Sequence, residues 1–443
     1  MGQVHSGQRP EVGVISWGHG PRSAIGASVP ARKIMLYSHD TYGLGHLRRN
    51  LRIAGHLLHS VPGLQVVLVS GSPVAERFPT PPGLTVVKLP SVRKVGAEQY
   101  RPVSPGLDLS LVRRTRSAIM ADVVRRWRPD VLLVDHSPAG MNGELLEVFS
   151  TLERHSPATR VALGLRDILD DPATVVRTWT GQGIYPLLAD VYDQIVVYGS
   201  RDLFDVGLHY RLPEPVAGRL FYTGYISPGA DADTARGPGA KGSGAGGSAP
   251  YLLATAGGGG DGVTVLGAAM EAGAALGTTT KVVAGPLIDE AAFGSLSARA
   301  ERTPGVELVK FHPQLQRAMA DASAIITMGG YNSLCEALSV GVPTVVVPRS
   351  VPRLEQTIRA GLFAERGLVS VVAAGPDLGD RLARAVAATM SRPAAVRSID
   401  LGGLERLAGV LLTGEAAAGV DGPGEDGTVE RPGSDRLEER LPA

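Results

Sequence analysis

His46 opens an amphipathic stretch that runs to His59, behind the turn-prone residues Asp40 to Gly45. A helix N-terminus disfavours an imidazolium, so a histidine there stays neutral and can take a proton from a hydroxyl. Asp135 ends the apolar run Val131 to Val134, where it can orient a histidine or act as a base itself. Capping for His46 and turn formation for Asp135 are the ordinary alternatives. Arg48, Arg49 and Arg166 can clamp a carboxylate or phosphate through paired hydrogen bonds, or simply face solvent.

Two glycine loops suit an anion. One, Ala256 to Gly262, contains Gly258 and Gly259 and lies between the apolar run Tyr251 to Thr255 and the helical pattern Val263 to Leu276. The other is Gly329-Gly330-Tyr331-Asn332-Ser333, which follows Ile325 to Met328 and leads into a helix ending near Gly341. Glycines let backbone amides approach a phosphate at a helix N-terminus, and Asn332 and Ser333 are residue types that cap one. Glu336 lies a turn inside that helix, facing either ligand or solvent. Glu355 and Gln356 open a further helix, where they can bond sugar hydroxyls or offset the helix dipole.

The elements that must position these residues alternate. Runs such as Ile34 to Ser38, Leu64 to Ser70, Leu84 to Leu89, Val131 to Val134, Arg160 to Leu165 and Gln194 to Tyr198 are apolar without polar alternation, and helical patterns separate most of them. That predicts a parallel sheet covered on both faces, with ligands beyond the carboxyl ends of its strands. A single helix is expected over 175–188. A second such series runs from Tyr251 to Val372. The expected organisation is an N-terminal extension at 1–31 without fixed order, a first α/β domain at 32–226 and a Gly/Ala-rich linker at 227–249. A second α/β domain at 250–414 and a disordered acidic tail at 415–443 complete it.

The 443 residues carry 44 basic and 43 acidic side chains, a balance that argues against a nucleic-acid partner. The single Cys335 forms no internal disulfide, and no apolar run reaches the ~18 residues of a membrane span. The expected compartment is the cytoplasm, with contact to the inner membrane face left open.

Gly329-Gly330-x-Asn332-Ser333-x-x-Glu336-Ala337-Leu338-x-x-Gly341-x-Pro343, followed by Pro348 and Glu355-Gln356-x-x-Arg359-Ala360, resembles the donor-binding domain of GT-B glycosyltransferases. It is most similar to family 28, which contains the peptidoglycan N-acetylglucosaminyltransferase. His39 to His46 resembles a group of bacterial predicted glycosyltransferases. The resemblance implies an α/β protein of two doubly wound, Rossmann-like domains facing across a cleft, an acceptor-binding domain at 32–226 and a nucleotide-sugar donor-binding domain at 250–414. It further implies that Gly329, Gly330, Asn332 and Ser333 hold a donor diphosphate, that Glu336 accepts from the ribose, and that Glu355 and Gln356 contact the transferred sugar. His312, in Phe311-His312-Pro313, would border the nucleotide base. Gly258 and Gly259 match the family's second glycine loop, beside which Asp261 would repel a diphosphate.

The implied reaction is inverting transfer of a sugar from a nucleotide donor, UDP-linked by resemblance, to a small-molecule or lipid-linked acceptor, with no cofactor and no metal. Asp231-Ala232-Asp233 falls in the linker and reads as a chance Asp-x-Asp. The chain lacks the G-x-x-x-x-G-K-[ST] of a P-loop and the third glycine of a dinucleotide fingerprint after Gly43-x-Gly45. A sugar-nucleotide epimerase or hydrolase of the same fold, and a non-catalytic nucleotide-sugar binder, are the rival readings.

Overall fold

The computed structural model describes residues 31–40, 44–96, 99–227, 250–258, 260–391 and 399–415. The expected extension, linker and tail, apart from Ala31, Ser227 and Glu415, lie outside the described residues, as do Gly259 and the Asp231-Ala232-Asp233 string.

The first half runs β1 (Lys33–Ser38), α1 (Gly45–Ser60), β2 (Gln65–Ser70), β3 (Leu84–Lys88), β4 (Val92–Gly96), β5 (Gln99–Pro102), α2 (Leu109–Trp127), β6 (Val131–Asp135), α3 (Leu146–His155), β7 (Arg160–Arg166), α4 (Pro172–Gly181), α5 (Ile184–Val191), β8 (Gln194–Tyr198), α6 (Val206–His209), α7 (Glu214–Ala217) and β9 (Leu220–Tyr222). Seven of these strands form a parallel sheet ordered β3-β2-β1-β6-β7-β8-β9, and β4 and β5 pair as a separate antiparallel hairpin. Every residue of β6 and β8 is buried, as continuous Val/Leu/Ile runs demand when helices cover both faces.

The second half runs β10 (Tyr251–Thr255), α8 (Val263–Ala275), β11 (Thr279–Val283), α9 (Glu290–Arg302), β12 (Val306–Val309), α10 (Leu315–Asp321), β13 (Ala324–Thr327), α11 (Tyr331–Ser339), β14 (Thr344–Val346), α12 (Glu355–Glu365), β15 (Ser370–Val371), α13 (Leu378–Met390) and α14 (Gly403–Thr413). Its six strands are parallel in the order β12-β11-β10-β13-β14-β15. Both sheets therefore reverse direction once, between β1 and β6 and between β10 and β13. A crevice opens at each switch point, beyond the strands' carboxyl ends. The loops of interest leave these four strands.

Three sequence expectations need correction. The single helix over 175–188 is two, α4 and α5, because Gln182 ends the first and Gly183 turns with a φ of 65°. Helix α14, expected within the donor domain, returns to the first sheet instead: Arg160 donates to the carbonyls of Val410 and Leu411, and Gln194 Nε2 to that of Gly414. Ala31, counted with the extension, is buried, and its amide donates to Leu412 O at 3.1 Å.

One apolar cluster crosses between the halves, joining Leu47, Tyr198 and Tyr225 of the first to Tyr331, Leu334 and Phe363 of the second. The Tyr331 hydroxyl accepts from the amide of Ile226 at 2.9 Å, and the Tyr225 and Tyr331 rings stack 5.8 Å apart. This packed base holds the two switch-point crevices towards each other.

Candidate active site

His46 is the second residue of α1, whose first turn has no side-chain cap, so unpaired amides surround it. Asp135 is the last residue of the adjacent β6. The two meet: His46 Nδ1 lies 2.7 Å from Asp135 Oδ2. Asp135 is completely buried and also accepts from Arg49 Nη2, at 2.6 Å to Oδ1, and from Asn50 Nδ2 at 3.2 Å. Burial alone would push its carboxyl up, but the Arg49 and His46 beside it hold it far below the ordinary range. An ionised carboxylate only accepts, so His46 Nδ1 carries the proton and Nε2 keeps a lone pair. Burial also lowers the His46 pKa from 6.5, against the opposing pull of Asp135. The result is a neutral, oriented imidazole on a partly exposed side chain.

Arg49 is thereby corrected from an anion clamp to a positioning group: it is 1 % exposed and fully engaged with Asp135. Arg48 is corrected likewise. Its Nη2 donates to Glu336 Oε1 at 2.6 Å, and Arg52 Nη2 donates to the same oxygen at 3.2 Å. Glu336 is 3 % exposed, so a ribose hydroxyl reaching it would have to share the carboxylate with two guanidiniums of the opposite domain. Arg166, at the carboxyl end of β7, is the one arginine of the three left without an ion partner among the described residues.

The second-half face of the site is built from the loops after β10 and β13. Gly330 takes the N-cap position of α11, with no side-chain cap. Asn332 does not cap; its Nδ2 donates to the carbonyl of Gly45 at 3.0 Å, tying the start of α11 to the start of α1. The first amides of α11 thus stay free for a ligand next to the His46 helix. A Cβ on Gly330 would meet nothing within 4 Å, whereas one on Gly329 would lie 2.8 Å from Gln356 O. Gly330 borders open space and Gly329 packs against α12. Gly257 has a φ of 66°, and its hypothetical Cβ would lie 3.2 Å from Ser333 Oγ, so the first glycine loop reaches the α11 terminus. Gly258 O accepts from Leu287 N at 3.0 Å, which fixes that loop.

Asp261 is neutralised by Arg349, which pairs with it and also donates to Glu355 Oε1 at 3.0 Å. Gln356 Oε1 accepts from the amide of Arg349 at 3.2 Å. His312, half-buried, has an Nδ1 with no partner. The sequence analysis passed over Arg349, the buried interdomain pair Arg359 with Asp167 at 2.6 Å, and His136. Asp167 and His136 each follow a strand end that was already of interest, which was the available signal.

Residues 288–397 match the model of the glycosyltransferase family 28 C-terminal domain. The matched stretch lies in the second half and runs from just before α9 to beyond α13. Among solved structures, the chain is similar to the glycotransferase of kitacinnamycin, at 19 % identity over 86 % of this chain and 94 % of that one, TM-score 0.52. It is also similar to UGT2 of Phytolacca americana, solved with UDP-2-fluoro-glucose and pterostilbene, at 14 % identity over 87 % and 95 %, TM-score 0.54. A third likeness is to a proposed UDP-N-acetylglucosamine 2-epimerase of Listeria monocytogenes, at 13 % identity over 86 % and 96 %, TM-score 0.56. At these identities the likeness is one of fold. No curated protein matches the chain. The architecture is GT-B, and the family 28 match covers α11, α12 and the loops that present Gly329 to Glu355.

Proposed function

We propose that this protein transfers a sugar from a nucleoside diphosphate donor, UDP being the expected nucleotide, to an acceptor hydroxyl by a single inverting displacement. The observation that carries the reading is the His46–Asp135 pair, at 2.7 Å, on a helix whose start is bonded by Asn332 to the uncapped start of α11. His46 Nε2 takes the acceptor proton as its oxygen attacks the anomeric carbon. Asp135 stabilises the imidazolium that forms, and the leaving diphosphate gathers negative charge against the α11 amides. Arg48 and Arg52 of the first half share one carboxylate, Glu336, beside the α11 terminus, and in this reading they add positive charge where the diphosphate departs. Glu355 and Gln356 face the transferred sugar in this reading.

The acceptor side of the pocket includes the β4–β5 hairpin, whose Tyr100 packs edge-on to His39 with centroids 6.4 Å apart. Val95, Val103, Leu107 and Leu111 are exposed on or near it, which supports an acceptor with an apolar portion, lipid-linked or small. Among the described residues no helix is long and apolar enough to cross a membrane.

The deciding experiment is thermal unfolding with UDP, dTDP, GDP and ADP, followed by nucleotide release in the wild type and His46→Ala. A nucleotide at ~100 times its dissociation constant adds about 2.7 kcal/mol to the native state. Transfer is supported when His46→Ala keeps the nucleotide shift and loses release. Conversion of UDP-N-acetylglucosamine to an isomer with no acceptor present would replace it with the epimerase reading.

A further inference from the structure

Arg166 is an unexplained cation. No described residue accepts from it, and its Nε is buried without a partner. The arginines that act on it electrostatically are all engaged elsewhere: Arg49 with Asp135, Arg359 with Asp167, and Arg353 near Asp170 at 3.9 Å. Glu355 is the carboxylate that acts on it most, yet Glu355 forms its ion pair with Arg349 through Oε1, and its Oε2 is buried and unpartnered. A third such atom belongs to His136, whose Nδ1 is also buried and unpartnered and whose ring feels the charge of Arg166. His136 holds a left-handed backbone, φ 72°, fixed by its amide's bond to Gly164 O at 2.8 Å. That conformation is one that a residue with a Cβ rarely adopts.

Three buried polar atoms from three elements thus lack partners at the place where His46, β7 and α12 converge. Two are donors or potential donors, and one is an acceptor. A ligand that offers an anionic oxygen to Arg166 and His136 and a hydroxyl to Glu355 would satisfy all three, and a half-buried guanidinium with a buried Nε and no ion partner selects charge over a neutral oxygen.

We propose that Arg166 and His136 recognise a carboxylate or phosphate borne by the substrates at the transfer site, while Glu355 Oε2 accepts from a neighbouring hydroxyl. The inference rests on the transfer reading above and adds to it a negatively charged substrate. The charged group belongs to the donor's sugar or to the acceptor, and the chemistry at Arg166 is the same for both.

The test titrates wild type and Arg166→Gln with UDP, UDP-glucose and UDP-glucuronate by calorimetry. It then adds inorganic phosphate or glucuronate to each protein with and without saturating UDP, following thermal unfolding. Equal UDP affinity in both proteins is expected. A preference of tenfold or more for UDP-glucuronate over UDP-glucose in wild type, lost in Arg166→Gln, supports an anion on the donor sugar. No donor preference, but stabilisation of UDP-saturated wild type and not of Arg166→Gln by phosphate or glucuronate, supports an anion on the acceptor. Equal responses of the two proteins to every anion overturn the proposal. So does a loss of UDP affinity in Arg166→Gln, which would make the residue a diphosphate ligand. If UDP binds neither protein, the transfer reading fails, and phosphate titrated onto the nucleotide-free proteins still decides the role of Arg166. Arg166→Gln removes a cation without an ion partner and should unfold no lower than wild type. Should it not fold, Arg166→Lys, which keeps the charge and loses the planar fork, takes its place, with weakened anion binding expected and undiminished binding overturning the proposal.

Discussion

Replacing Asp135 by Asn tests the proposed base directly, because the exchange is nearly isosteric and changes only charge and donor pattern. In the native site the carboxylate accepts from His46 Nδ1, Arg49 and Asn50. An asparagine amide turned towards His46 would donate to Nδ1, move the imidazole proton to Nε2 and remove the lone pair that the acceptor hydroxyl needs. Comparable exchanges behind a catalytic histidine cost about 10⁴ in kcat, or roughly 5.5 kcal/mol of barrier. The same change leaves Arg49, 1 % exposed, without its counter-charge, a loss of about 3 to 5 kcal/mol. For a domain of this size that corresponds to a Tm lowered by about 6 to 20 °C. The assay is UDP release from a UDP-sugar at a temperature where the variant is still folded, with UDP affinity measured in parallel. His46→Gln is the companion: it leaves the Asp135–Arg49 pair intact and should lose a similar share of rate with little change in Tm. A folded Asp135→Asn that binds UDP normally and works within tenfold of wild type would refute the assignment of His46 as base.

The remaining predictions concern protonation, the glycine loop and the interdomain pair. Because burial lowers the His46 pKa below 6.5, the base form is present above that pH; transfer should be flat above 6.5 and fall as pH drops through the lowered value, read from a pH–rate profile. Burial lowers His136 further, so both histidines favour the unfolded state under acid, and Tm should be highest above pH 6.5 and decline below it. Gly330→Ala, into open space at an unstrained φ of −65°, should leave Tm within about 2 °C yet weaken UDP binding tenfold or more in calorimetry. Gly329→Ala places a methyl 2.8 Å from a backbone oxygen and should cost about 1 to 3 kcal/mol of stability, measured by denaturant unfolding. Arg359→Ala strands Asp167 between the domains and should cost about 3 to 5 kcal/mol, most of it recovered in the double variant Arg359→Met with Asp167→Leu.

The fold was legible where burial is total. Strands such as Val131 to Val134 and Ala324 to Thr327 sit inside a parallel sheet, so no polar alternation interrupts them, and their ends fall where the apolar run ends. The hairpin Val92 to Pro102 was not legible: its mixed charged and apolar residues serve a small cluster around Tyr100 and Met141. Nor was the destination of α14, an amphipathic helix whose partner is fixed by tertiary bonds from Arg160 and Gln194. For the site, the positions of His46 and Asp135 at a helix start and a strand end were readable, because switch-point geometry puts such residues at the crevice. Their 2.7 Å contact spans 89 residues and leaves no local trace.

Arg48, Arg49 and Arg166 show why charge type alone assigns no role. In the sequence all three are basic residues at the edge of a sheet–helix connection. Arg49 lies over the β6 terminus, and the buried Asp135 converts it into scaffold, since either charge alone would be costly there. Arg48, one residue earlier on α1, reaches across the interface to Glu336 and so ties α11 of the second half to the first half. Under the proposed function a donor ribose that reaches Glu336 would compete with Arg48 and Arg52 for its carboxylate. Arg166 alone of the three has no ion partner among the described residues, on a half-buried side chain whose Nε is buried. Burial, with the nearby Arg49, Arg359 and Arg353, lowers its pKa to about 10, and an anion bound beside it would offset that cost.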